Sequence, residues 1–335
     1  VRLLLCLVLS LTTSAFAAPA SYEEGARDFV SHMVRRHGLD ADALRELLGG
    51  ARYRQEIIDA IRRPWEAKPW FRYRSIFLTE ARVSAGARFM GANRALLERA
   101  AARYGVPPEI ISAIVGIETN YGANLGRHRV MDALTTLGFS YPRRASFFRG
   151  ELEELLLLAR EEGLDPSGML GSYAGAVGMP QFIPSSYRAY AVDFDEDGRR
   201  DLWGSRADAI GSVGNYLARH GWRAGEPVAF RVEAPEPLPE GIAVAGRRPE
   251  RPRSPVSRLR ASGFEVPGGV DPAARVSLIR LEAPGDEFWL GMENFYVITR
   301  YNHSNLYAMA VYQLSREIRE RYRAEGSRMA AGGPS

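Results

Sequence analysis

Gly105-Val106-Pro107-Pro108-Glu109-Ile110-Ile111-Ser112-Ala113-Ile114-Val115-Gly116-Ile117-Glu118-Thr119-Asn120-Tyr121-Gly122 is the stretch from which the rest of the chain is read. A Gly-Val turn leads into two prolines, and proline is well tolerated in the first turn of a helix. Ile110, Ile111, Ile114, Val115 and Ile117 then make that helix apolar almost all round, the pattern of a helix buried on every side. Gly122 is the expected C-terminal stop. Into these apolar surroundings the sequence sets Glu118. Burial and the negative end of the helix dipole both disfavour its charged form, which suits a general acid working near neutral pH. From this helix alone, a buried glutamate held for structure reads equally well. Glu109, at the helix start, reads as a cap.

Outward from this helix the texture is mostly helical. Phe89, Asn93, Leu96, Leu97, Ala100 and Tyr104 fall on one face at three- and four-residue steps. Ser84 is the expected N-cap before them. Further helices are predicted over 107–121, 145–162, 208–220 and 305–323. Between about Glu226 and Glu287 the chain turns Pro-rich, with short β-type runs at Val228–Val232 and Val276–Arg280. Its basic stretch from Arg247 to Arg260 has two readings, contact with an anionic polymer and, favoured, a solvated loop. The tail from Glu325 is small and polar and is expected to fray.

The 335 residues are 46% hydrophobic and 25% charged, a balance that excludes a disordered tail, a collagenous repeat and a polytopic membrane protein. Net charge is +4, too mild and too dispersed to point to a nucleic-acid partner. Leu3 to Leu11 is an apolar run too short to span a bilayer, and Ala15-Phe16-Ala17 follows with small-x-small spacing. This reads as a signal peptide cleaved near Ala17 or Ala18, hence an exported, periplasmic protein with no membrane anchor. Cys6, the single cysteine, lies inside that leader.

Four ordered segments carry a family resemblance. They are Gly116–Gly122; Tyr141-Pro142-Arg143-Arg144; Ser172-Tyr173-Ala174-Gly175-Ala176-Val177-Gly178-Met179-Pro180-Gln181-Phe182-Ile183-Pro184-Ser185-Ser186-Tyr187; and Phe295 to Met309, including Arg300-Tyr301-Asn302-His303. The chain resembles the lytic murein transglycosylases of the membrane-bound lytic transglycosylase B family over most of its length, least across the Pro-rich stretch. The resemblance implies a mainly α (α+β) protein: a lysozyme-like helical core, a flanking helical domain and a small β-rich insertion. On that frame 1–18 is the signal peptide, 19–84 the helical domain and 85–225 the core. The β-rich domain is 226–288, the core resumes over 289–323, and 324–335 is a flexible tail.

The activity implied is cleavage of the β-1,4 bond between N-acetylmuramic acid and N-acetylglucosamine in peptidoglycan, leaving 1,6-anhydromuramoyl ends. Most glycoside hydrolases need two carboxylates, whereas an intramolecular transfer can manage with one. Glu118 would protonate the leaving oxygen and then accept the proton of the muramic C6 hydroxyl. By family position Ser172 and Gln181 would bind the N-acetyl sugar. Phe182 and Tyr216 would wall the cleft, and Tyr301, Asn302 and Tyr307 would close its other side. Arg143 and Arg144 would meet a muramoyl or stem-peptide carboxylate. The family usually has Gly-Tyr-Gly-Gln where this chain has Gly178-Met179-Pro180-Gln181, so Met179 removes a polar edge.

Asp193-Phe194-Asp195-Glu196-Asp197-Gly198 opens like an EF-hand loop, with oxygen ligands at alternate positions and glycine at the sharp turn. Arg199 would offer its backbone carbonyl, and Asp201 comes next. The twelfth position is Gly204, so a lengthened loop would turn to Asp208. The expected ion is Ca2+ in a structural role, with no cofactor for catalysis. His32, His37, His128, His220 and His303 show no metal-ligand spacing.

The expected partner is the peptidoglycan glycan strand, met by a monomer, and a wall-synthesis complex is the one larger assembly left open. Two other functions compete: a hydrolytic muramidase, and a non-catalytic peptidoglycan-binding calcium protein. The first lacks an obvious partner carboxylate, and the second has no use for Glu118 in an apolar helix.

Overall fold

The structure, a computed structural model, describes residues 19–63 and 68–331. The signal-peptide reading and Cys6 lie outside the described residues. Helices α1 (Ala20–His37), α2 (Ala41–Gly49), α3 (Gln55–Ile61) and α4 (Trp70–Phe77) form the N-terminal part. Asp40 caps α2, its carboxylate accepting from the Ala43 N–H. Phe29 and Met33 of α1, Ile57 of α3 and Trp70 of α4 are buried in the same continuous core as Ile114 and Leu314. The N-terminal helices therefore complete the main core instead of enclosing one of their own.

Next come α5 (Glu80–Ala92) and α6 (Arg94–Tyr104). The expectation of a Ser84 cap is corrected. Thr79 caps α5, accepting from the Arg82 N–H, while Ser84 lies inside the helix and donates to Glu80. The continuous apolar face runs through a break at Asn93, whose buried side-chain amide donates to the Phe89 carbonyl. Helix α7 (Pro108–Thr119) is buried along Ile110–Gly116, as its sequence requires. Glu109 does not cap it. Its carboxylate instead pairs with Arg319 at 3.2 Å, holding the start of α7 to the last helix.

The middle of the chain holds β1 (His128–Arg129), α8 (Val130–Ser140), α9 (Ala145–Glu162), β2 (Leu170–Gly171), α10 (Pro184–Tyr190) and α11 (Arg206–Arg219). Strand β1 pairs antiparallel with β2, which brings Gly171 beside His128. Helix α8 is apolar and buried from Val130 to Phe139. Buried Glu151 of α9 accepts from the N–H and the hydroxyl of Ser185, tying α9 to α10.

The Pro-rich stretch forms β3 (Ala229–Val232), β4 (Ser254–Pro255), α12 (Val256–Ala261), β5 (Arg275–Leu281) and β6 (Glu287–Gly291), in an antiparallel sheet ordered β3-β6-β5-β4. Alternation along the strands divides two cores. Leu278 and Leu290 face a small core with Val232, Val256 and Phe264, while Ile279, Leu281 and Trp289 face the main one. Strand β6 sits between β3 and β5 and crosses the expected boundary at 288. The chain closes with α13 (Glu293–Tyr301) and α14 (Asn305–Ala331). Helix α14 runs past Arg323, so the tail expected to fray from Glu325 is helical as far as Ala331. Among the described residues no helix is long and apolar enough to cross a membrane.

One packing contact fixes the end of α7. Asn120, Tyr121 and Gly122 all have positive φ (50°, 61° and 88°), so the helix stops at Asn120 and not at the expected Gly122. That reversal folds the Tyr121 ring back over Gly116, where an added Cβ would stand 2.6 Å from the ring. Gly116→Ala must therefore shift the ring or the helix, at a cost of about 1–3 kcal/mol. The expected reading in urea denaturation is a lower midpoint with an unchanged slope; an unmoved midpoint would show that the ring is free to give way.

Candidate active site

Glu118 lies in the last turn of α7, half-buried, and the Tyr307 hydroxyl donates to its Oε1 at 2.6 Å. Tyr307 belongs to the first turn of α14, 189 residues further along the chain. Thr119, the next residue, joins this helix end to the 172–187 segment. Its hydroxyl lies within hydrogen-bonding distance of the Met179 carbonyl (3.0 Å) and the Val115 carbonyl (3.2 Å), and its oxygen accepts from the Gly122 N–H. Tyr121 closes the reversal by donating to the Arg82 carbonyl at 2.9 Å.

An aromatic group backs the carboxylate. Tyr301 and Tyr307 lie parallel, with centroids 6.3 Å apart and planes at 9°. Tyr301 also meets Tyr216 at 4.8 Å and Phe182 at 5.8 Å. Their hydroxyls are directed by backbone: Tyr301 donates to the Pro180 carbonyl and Tyr216 to the Arg300 carbonyl. Burial first, then the neighbouring Glu118 charge, pushes both Tyr301 and Tyr307 well above the ordinary tyrosine pKa. Both hydroxyls therefore stay protonated at any working pH and remain donors. Glu118 is the carboxylate whose charge acts on both tyrosines. The other buried carboxylates have their own partners. Asp132 pairs with Arg54 and Arg129, Glu151 binds Ser185, and Asp208 accepts from backbone N–H groups.

Ser172 and Gln181 are brought onto one loop. The Ser172 oxygen accepts from the N–H groups of Ala174 and Ala176. Gln181 has positive φ, and its amide nitrogen donates to the Leu125 and Gly178 carbonyls at 3.2 and 3.0 Å. Asn302 is half-buried at the end of α13. Phe182 and Tyr216 differ from the expectation of cleft walls. They are only 2% and 7% exposed, so they pack behind Tyr301 as its support. Met179 is 6% exposed and lies beneath Gly122, so its side chain is absorbed into the packing.

Arg143 and Arg144 are exposed at the start of α9, and the Arg144 guanidinium lies 4.2 Å over the Phe147 ring. Their described contacts are local and do not join the Glu118 group. Tyr73 of α4 is a member that sequence reasoning missed. Fully buried, it helps to raise the Tyr307 pKa from the N-terminal helices, a proximity its place in the sequence does not show.

In the acidic loop the carboxylates of Asp193, Asp195 and Asp197 gather within 4.8 Å of one another, as oxygen ligation of a hard cation requires. Asp193 also accepts from the N–H groups of Asp197 and Gly198, and Asp197 from that of Arg199. Asp208 departs from its expected place as a ligand. It is fully buried, with its two oxygens accepting from the Phe194 N–H (2.6 Å) and the Asp201 N–H (2.7 Å). Asp201 likewise accepts from the N–H groups of Trp203 and Gly204 through Oδ1. Both brace the loop outside the cluster of three.

Comparison with known proteins gives the family and the fold. The transglycosylase SLT domain family matches residues 21–316. The chain belongs to that family. It is 43% identical over 305 residues to the membrane-bound lytic murein transglycosylase B of Escherichia coli K12, covering 88% of this chain and 82% of the relative. Among solved structures, the soluble lytic transglycosylase SltB1 of Pseudomonas aeruginosa superposes with a TM-score of 0.83 at 48% identity, covering 90% of this chain and 99% of that one. The Escherichia coli lytic transglycosylase Slt35, solved in complex with calcium, gives 0.79 at 43% identity, covering 89% and 93%.

The Tyr307 bond offers a direct test of this family member's site. Tyr307→Phe keeps the ring and removes only the donor to Glu118. A hydrogen bond to a charged group contributes about 1.5–3 kcal/mol, so turnover of purified sacculi should fall roughly tenfold to a hundredfold with the fold intact by circular dichroism. Unchanged turnover would show that the hydroxyl does not serve the carboxylate.

Proposed function

We propose that this member of the family cleaves the β-1,4 bond between N-acetylmuramic acid and N-acetylglucosamine as a lytic transglycosylase, with Glu118 as its single acid and base. The observation that carries this reading is a single carboxylate, Glu118, set against an aromatic group and held by the Tyr307 hydroxyl. In the first step Glu118 donates its proton to the leaving glycosidic oxygen as C1 gains oxocarbenium character. The carboxylate so formed accepts the proton of the muramic C6 hydroxyl while that oxygen bonds to C1. No water enters, so atoms balance with one protein group acting twice. The substrate's N-acetyl oxygen can hold the intermediate, as in substrate-assisted glycosidases.

Gln181 and Ser172 are assigned to the N-acetyl sugar. Because the Gln181 amide nitrogen is spent on two carbonyls, its side-chain oxygen is the atom offered, and it suits an acetamido N–H. Tyr301 and Asn302 line the other side, with Phe182 and Tyr216 as backing. Arg143 and Arg144 are assigned to a stem-peptide carboxylate. This substrate places the protein outside the cytoplasm, as an exported enzyme of the cell wall.

The deciding experiment is mass spectrometry of muropeptides released from sacculi by the protein and by Glu118→Gln. The proposal expects products one water lighter than hydrolytic ones, lacking a reducible end, and absent with Glu118→Gln. Hydrated, reducible ends would assign a hydrolase. Binding without release by either protein would leave a scaffold.

The loop of Asp193, Asp195 and Asp197 is assigned to Ca2+, with the Arg199 carbonyl beside it and Asp201 and Asp208 holding its backbone. The gathering of three carboxylates in this chain supports the assignment, as does the calcium in the Slt35 structure. A cation bound there only in the folded state would raise stability. Chelation, or Asp195→Asn, should lower the melting temperature by several degrees while activity measured well below the transition stays nearly unchanged. An equal loss of activity at that low temperature would give the ion a role in the reaction.

A further inference from the structure

The five histidines carry no metal spacing along the sequence, yet the fold brings two of them to one carboxylate. His32 Nε2 lies 2.8 Å from Glu153 Oε2, and His37 Nε2 lies 2.7 Å from Glu153 Oε1. His32 and His37 stand five residues apart in α1, a step of about 140° around a helix at 3.6 residues per turn. They nonetheless reach the same group, because His37 is the last helical residue and Gly38 turns the chain away in the left-handed conformation. Glu153 comes from the middle of α9, so the cluster bridges the N-terminal helix to the core.

From this geometry we infer a transition-metal site, best suited to Zn2+, formed by His32, His37 and Glu153. Two imidazole nitrogens and one carboxylate form a donor set that zinc takes readily, with water at the fourth position. The three ligand atoms lie within 4.8 Å of one another, close enough for side-chain rotation to set them around one ion. Access is open from one side. The His32 side chain is 43% exposed, whereas those of His37 and Glu153 are 17% and 18% exposed.

One cation competes for the place. Arg36 Nε approaches Glu153 Oε1 at 3.4 Å from a largely exposed side chain, so it can swing out as the ion enters. The bound ion would clip the end of α1 to α9, restraining the N-terminal helices on the core at a point remote in sequence from the acidic loop.

The test is calorimetric titration of ZnCl2 into the metal-stripped full chain with Ca2+ restored, and the same titration with Co2+ followed by visible absorption. One equivalent of Zn2+ is expected, with four-coordinate bands for Co2+. His37→Gln and Glu153→Gln should each weaken binding tenfold or more, Arg36→Ala should tighten it, and Asp195→Asn should leave it unchanged. Retained calcium stabilisation would show that the His37 and Glu153 variants are folded. Failure to bind one equivalent, or binding unaffected by His37→Gln, would overturn the site and leave the cluster an ion-paired clamp.

Discussion

The reversal of the chain at Asn120–Gly122 is the constraint on which the site depends. A helix ending at Glu118 would fray and let its carboxylate wander, since the last turn of a helix lacks partners for its carbonyls. Here three successive left-handed residues turn the chain back, and Tyr121 folds onto Gly116 with its hydroxyl on Arg82. Thr119 then ties the turn to Met179. Each of these contacts restrains the last turn of α7, in which Glu118 sits. The glycine at 116 follows from the same requirement, because no side chain fits between the helix backbone and the ring.

A carboxylate in an aromatic recess needs donors that cannot themselves become charged. Tyr301 and Tyr307 meet that need, since burial and the adjacent negative charge both oppose their ionisation. Tyr301 spends its proton on Pro180 and Tyr307 spends its own on Glu118, so only one of the stacked pair addresses the carboxylate directly. The other holds the 178–182 loop against α13, and Tyr216 and Phe182 fill the space behind. This division explains why residues that look alike in the motif differ in place. Tyr301 is only partly covered, and Phe182 is interior packing.

Much of this was legible in the sequence, and what was not has a common physical cause. The apolar all-round pattern of 110–117 announced a buried helix, and one of the ordered motifs held the Tyr301 and Tyr307 that stand beside Glu118. Periodicity reports which face of an element is apolar but not which partner covers it. Tyr73, Glu109 and Glu153 were therefore unreadable, because their partners lie on helices distant in the chain. Strand β6 was cut at 288 because Trp289 faces the main core and Leu290 the small one, leaving no one-sided alternation to mark its end. Thr79 lost to Ser84 as a cap because the apolar face used to place the helix starts only at Phe89, although the backbone turns helical at Glu80. Asp208 carried the right chemistry for a ligand, but the direction of its oxygens is set by the backbone around it.

The β-rich insertion looks detached in sequence, yet it bears on the geometry at Glu118. Two buried asparagines pin its start and its 246–248 segment to the helices that follow. Asn294, at the start of α13, accepts from the Arg223 N–H and donates to the Arg223 and Glu226 carbonyls. Asn305, at the start of α14, donates to the Gly246 and Arg248 carbonyls. Tyr301 is the last residue of the first helix and Tyr307 lies in the first turn of the second. The insertion thus sets the entry of the helix whose Tyr307 meets the carboxylate and of the helix whose Tyr301 stacks on it. Its main-core face, through Ile279 and Trp289, packs it against the helices it positions. A loop of the same length without the sheet would leave the carbonyls at 246 and 248 unplaced, and Asn305 would lose the partners that fix where α14 begins.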